Sequence, residues 1–77
     1  MKIDEAAIAV LNRHGSVRVW RGHLNVIHEI AEVAGLGPMH PVNVASTVMS
    51  CLGKSPKFKL AGRIKHEGQW YPVREIA

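Results

Sequence analysis

Apolar residues recur at helical spacing over residues 4–14. Ala7, Ile8 and Leu11 share one face there, with Ile3 just before, which predicts an amphipathic helix. Asp4 is placed to cap its N-terminus. Arg13 and His14 suit its C-terminal end, where the helix dipole favours cations, and Gly15 suits the left-handed closing position. The period then drops to two. Over residues 16–20, Val17 and Val19 alternate with Arg18 and Trp20, predicting one short strand that needs a partner elsewhere. Helical spacing returns over residues 23–34. Leu24, Ile27, Ile30, Ala31 and Ala34 form an apolar stripe opposite Asn25, His28, Glu29 and Glu32. Gly35 ends that helix, and residues 36–39 are a turn by composition. A third helix is expected over residues 41–52, with Val44, Val48, Cys51 and Leu52 facing inward and Gly53 closing it. Pro41 fits its first position, with His40 as a weak cap, or the helix starts later on Asn43.

Residues 57–76 read as a β-hairpin. Phe58, Leu60 and Ile64 alternate with Lys57, Lys59, Arg63 and Lys65, with Gly62 on the apolar side. His66-Glu67-Gly68 supplies the turn, and residues 69–73 return. Pro72 cannot donate to a ladder, so its nitrogen should face outward or the strand should end there. A lone hairpin is marginal in water. It must pack on the helices, and the strand at Val17 and Val19 is the natural third member of its sheet. The order is helix, short strand, helix, turn, helix, hairpin: an α+β arrangement.

That order resembles the winged helix-turn-helix superfamily from Asp4 to Ile76. Two segments look closest to the small HARE-HTH-type modules of chromatin regulators and restriction enzymes. One is Ala6-Ala7-Ile8-Ala9-Val10-Leu11-Asn12-Arg13-His14-Gly15 with the strand behind it. The other is Pro41-Val42-Asn43-Val44-Ala45-Ser46-Thr47-Val48, running through Lys54-Ser55-Pro56-Lys57-Phe58 into the hairpin. The resemblance implies a three-helix winged helix-turn-helix with a short strand after the first helix and a C-terminal hairpin wing. It further implies a third helix that enters a major groove of double-stranded DNA and a wing that touches backbone or minor groove.

Length narrows the choices. A chain of 77 residues holds one domain, which excludes enzymes built on doubly wound sheets or α/β barrels. Its 47% hydrophobic and 21% charged residues fit a folded chain rather than a disordered one. One cysteine excludes an intrachain disulfide and fits a reducing compartment. No apolar run reaches the roughly 18–20 residues that cross a bilayer. The start, acidic at Asp4 and Glu5 and then helical, is unlike a signal peptide. A soluble, cytoplasmic protein is expected.

Charge sharpens the functional reading. Four basic and four acidic residues cancel over residues 1–53, whereas residues 54–77 hold six basic and two acidic, so the net charge of +4 lies there. Lys54, Lys57, Lys59, Arg63 and Lys65 follow one another with no acid between them. A phosphate backbone would attract such a row, and counterion release would make binding salt-dependent; a solvated edge hairpin would also carry lysines. On the third helix, Asn43, Ser46, Thr47, Ser50 and Lys54 share the outward face. Asn can pair with adenine, and Ser or Thr can reach bases or phosphates. That helix has no arginine and no lysine before Lys54, which favours phosphate or shape contacts over a base code.

A second class of function has its own residues. Val26, Val33 and Met39, with Glu29 and Trp70, could form a surface for a protein partner or a homodimer. The chain would then be a protein-interaction or inhibitor module acting on a nucleic-acid-processing complex, at a size that suits a virus-encoded protein. RNA binding through the basic hairpin is weaker, since no stacking platform is evident. Catalysis has no support. Cys51 lacks a base and an orienting group, and the six acids are scattered. The glycines serve turns, and the five histidines show no metal spacing. No cofactor, metal or membrane is expected.

Overall fold

The structure, a computed structural model, describes residues 1–77. Three helices, α1 (Ile3–Arg13), α2 (Leu24–Ala34) and α3 (Pro41–Lys54), are interleaved with three strands, β1 (Arg18–Trp20), β2 (Phe58–His66) and β3 (Gln69–Ile76). The strands form one antiparallel sheet in the order β1-β3-β2. The result is a small α+β domain whose layout is compatible with a winged helix.

Each helix buries one stripe. The core comprises Ala6, Ala7, Val10 and Leu11 from α1, and Ile27, Ile30 and Ala31 from α2. Val44, Ala45, Val48 and Leu52 come from α3, Val19 from β1 and Phe58 from β2; no polar residue is buried. The stripes are rotated slightly from those the spacing predicts. Ala6 and Val10 replace Ile8 on α1, Leu24 is 52% exposed at the start of α2, and Ala45 replaces Cys51 on α3. Small alanines are what a close helix approach selects, and an apolar count alone undervalues them.

Several expected ends shift for local reasons. Asp4 is not the N-cap of α1: it lies in the first turn, behind Lys2, where one carboxylate oxygen accepts the Glu5 N–H at 2.8 Å and the other the Ser55 hydroxyl at 2.8 Å. Gly53 does not close α3. The helix runs to Lys54 and stops at Ser55, which is extended because Pro56 disfavours helical backbone in the residue before it. His40 does cap α3, with Nδ1 accepting the Val42 N–H at 3.3 Å. Gly15 and Gly35 adopt the left-handed conformation the sequence predicts. β1 starts at Arg18, and Val17 is 53% exposed, although its carbonyl accepts from Ile76 N–H at 2.9 Å.

The hairpin departs furthest from expectation. β3 runs on to Ile76 as the central strand. Pro72 lies beyond the β1 pairing, which ends at Trp20 opposite Val73, so its donor-less nitrogen can face the open side. The turn places both Glu67 (φ 50°) and Gly68 (φ 80°) at positive φ between the paired His66 and Gln69, as a two-residue hairpin of type I′ requires. Leu60 pairs with Arg74 but Gly62 pairs with Val73, leaving Ala61 as an extra, bulged residue. Gly62 takes φ 128° there, a conformation open to glycine. A one-residue bulge reverses the side-chain alternation beyond it. The uninterrupted apolar face expected for Phe58, Leu60, Gly62 and Ile64 therefore does not form: Phe58 is buried, while Leu60 and Ile64 are 51% and 38% exposed.

Ile30→Ala should cost about 2–5 kcal/mol of stability by leaving a core cavity. Leu60→Ala should stay within about 0.5 kcal/mol. Denaturant unfolding midpoints check both, and a large loss at Leu60 would contradict its exposed position.

Candidate nucleic-acid interface

α3 presents the polar stripe that its spacing predicts. Asn43, Ser46, Ser50 and Lys54 are exposed and Thr47 is half-buried. Ser46 is already engaged, accepting from an Arg21 guanidinium nitrogen at 3.1 Å. Arg21 directly follows β1, so this bond ties the end of the short strand to the outward side of α3.

The bulge divides the basic row of the hairpin. Lys59 pairs across from Glu75, on the same face of the sheet as Arg18. Glu75 joins all three strands there: Arg18 Nε donates to it at 2.6 Å, and Lys59 Nζ lies 3.3 Å from its other oxygen. The Arg18 hydrogen bond first, and Lys59 next, hold the Glu75 carboxyl below its ordinary range. Beyond the bulge, Arg63 and Lys65 stand opposite Pro72 and Trp70, on the face that carries Leu60 and Arg74. Leu60, Arg63, Trp70, Pro72 and Arg74 line one shallow cleft on that face. Lys65 sits 5.9 Å from the Trp70 ring centroid, and Trp70 is 63% exposed. Lys57, also exposed, precedes β2 and helps with Ser55 to hold the Asp4 carboxyl low, the Ser55 hydroxyl being the larger cause.

A second cleft adjoins the first through Pro72 and Arg74. It lies between α3 and β3 and is lined by Arg21, Met49, Ser50, Gly53, Tyr71, Pro72 and Arg74. Neither cleft is lined by a carboxylate. The two adjoining clefts thus run from Ser50 of α3 to Arg63 of the hairpin past two arginines, Arg21 and Arg74, that sequence reasoning missed. Their signal lay in position: Arg21 follows the strand, and Arg74 falls on the strand face opposite Glu75.

The residues expected at a protein interface scatter. Val26 and Val33 are half-buried and pack against the core. Glu29 pairs within the chain with Arg13 and with His14, the latter at 3.3 Å. Met39 is 40% exposed, in the loop before α3, while Trp70 lies on the β2–β3 hairpin. Of the other aromatics, Tyr71 stands 6.1 Å from Trp20, which is edged by His23 and His66. Trp20 folds over Gly22, where a β-carbon would come within 2.3 Å of its ring. No three metal-ligating side chains gather at one place, Cys51 is half-buried, and no helix is long and apolar enough to cross a membrane.

No protein-family model matches the chain, and no curated protein or solved structure matches it either. What the site can do therefore rests on its own chemistry: exposed hydrogen-bonding groups on one helix, unpaired cations beside them, and an exposed indole on the hairpin.

Glu75 generates a pH prediction. Its folded-state carboxyl titrates below the ordinary value of 4.5. Its pairing therefore stabilises the fold above that pH and is lost as pH falls below it toward the lowered value. Unfolding midpoints measured from neutral pH to about pH 3 should fall less steeply for Glu75→Gln than for the native chain.

Proposed function

We propose that this domain is a winged helix that binds double-stranded DNA, with α3 in the major groove and the β2–β3 hairpin as the wing on the backbone. The carrying observation is the joined surface that runs from Ser50 on α3 to Arg63 and Trp70 on the hairpin, lined by cations and by no carboxylate, with Lys65 beside the Trp70 ring. Asn43, Ser46, Thr47 and Ser50 would face base edges and sugar–phosphate; Lys54, Arg63 and Lys65 would neutralise phosphates. Lys57 and Lys59 would contribute less, since Lys59 is already answered by Glu75 and sits on the other face of the hairpin. The protein-docking alternative draws less support, because Val26 and Val33 are spent on the core. No chemistry is assigned to the domain, which would act by binding alone.

The test is retention of a random duplex pool at two salt concentrations. Arg63→Ala with Lys65→Ala should weaken binding to all sequences and flatten the salt slope by about two units. Lys57→Ala with Lys59→Ala should flatten it less. Asn43→Ala or Ser50→Ala should change which sequences are enriched while leaving the salt slope in place. Absence of retention even at low salt would overturn the reading.

A further inference from the structure

Arg74 is the least satisfied polar residue of the fold. The residue is half-buried, and its Nε is buried without a hydrogen-bond partner. Glu75, next in sequence, points to the other face and is held by Arg18 and Lys59. Arg21, also half-buried, has the Ser46 hydroxyl but no carboxylate. Two guanidiniums partly withdrawn from water, with no counter-charge, are an unfavourable arrangement for a protein at rest.

Both line the open cleft of about 360 Å³ between α3 and β3. The cleft's shape fixes them there. Gly53 leaves the space that Arg74 fills: a β-carbon at residue 53 would lie 3.1 Å from a terminal nitrogen of its guanidinium. Met49 and Pro72 supply apolar wall, which strengthens any ion pair formed against them. Ser50 adds a hydroxyl with no partner in the fold, whereas the Tyr71 hydroxyl is spent on Gln69 Oε1 at 2.9 Å.

We propose that this cleft is a binding site for a single phosphate group, held between Arg21 and Arg74 with Ser50 as a third donor. The donors come from three elements: the chain after β1, α3 and β3. They can therefore approach a tetrahedral oxyanion from non-coplanar directions, which a planar carboxylate would not exploit. The phosphate is either a phosphodiester of a nucleic-acid backbone or a free phosphate or phosphomonoester. The first source rests on the DNA reading above; the second stands without it.

The experiment follows the arginine Nε–Hε signals of the whole 77-residue protein by NMR during titration with inorganic phosphate, with acetate, and with a mixed-sequence DNA duplex. Phosphate should shift the Arg21 and Arg74 signals saturably, leave Arg18 in place, and outcompete acetate. Arg74→Lys keeps a charge but loses Nε and the fork; it should weaken phosphate binding at least about tenfold, and Arg18→Lys should leave it unchanged. A duplex that moves the same two signals identifies the backbone as the source. Phosphate saturation with no response to duplex supports the site, assigns it to a free phosphate ester, and removes the DNA reading. If phosphate gives no saturable shift, or acetate does as well, the site is overturned; duplex binding seen only through Arg63 would then leave the DNA reading standing alone. If neither phosphate nor duplex moves any signal, both fall.

Discussion

The pairing of β1 with β3 is the constraint on which the rest of this structure depends. β1 is three residues long and cannot hold its shape alone. It is fixed by Arg18 opposite Glu75, Val19 opposite Arg74 and Trp20 opposite Val73, partners from the far end of the chain. Closing so long a loop costs entropy, and the return comes from what the register places. Val19 enters the core with no exposed surface, Arg18 reaches Glu75, and β3 becomes the central strand. The same register sets Arg74 beside the end of β1, where Arg21 leaves it. The cleft between α3 and the sheet is thus a direct consequence of a three-residue ladder.

The bulge at Ala61 is the second constraint, and it acts on charge. Without it, Lys59, Arg63 and Lys65 would stand on one face of β2, the face of Glu75. With it, Lys59 stays with Glu75 and Arg18, and Arg63 and Lys65 cross to the face of Arg74. The sheet consequently sorts its ions: cations paired to Glu75 on one face, unpaired cations on the other. The bulge also breaks up a long edge strand, a protection against edge-to-edge pairing.

The helices were legible in the sequence because three stripes repeat at 3.6 residues and are punctuated by Gly15, Gly35 and Pro41. The hairpin turn and the third strand were legible too. Three things were not, and each turned on distant or positional information. Asp4 looked like a cap because its partner, Ser55, lies 51 residues away. The alternation of Phe58, Leu60 and Ile64 looked unbroken because Gly62 can be read on either face; a glycine inside a strand pattern was the available hint of a bulge. Arg21 and Arg74 escaped notice because a count of charges along the chain does not say which face of a strand each one takes. Of the expected residues, Ser50 of α3 and Arg63 of the hairpin line the two adjoining clefts. Lys57 and Lys59 did not join them.

Local rules agree across most of this fold: the core is wholly apolar, and Asp4, Glu29 and Glu75 have partners. The conflict is confined to Arg21 and Arg74. A sequence under selection for stability alone could relieve it with a shorter or neutral side chain at residue 74, since a half-buried guanidinium without an acceptor is the less stable choice. Sites of function are where such local conflicts are expected to persist. The two arginines face a cleft that adjoins both α3 and the hairpin, and an oxyanion there would answer their charge.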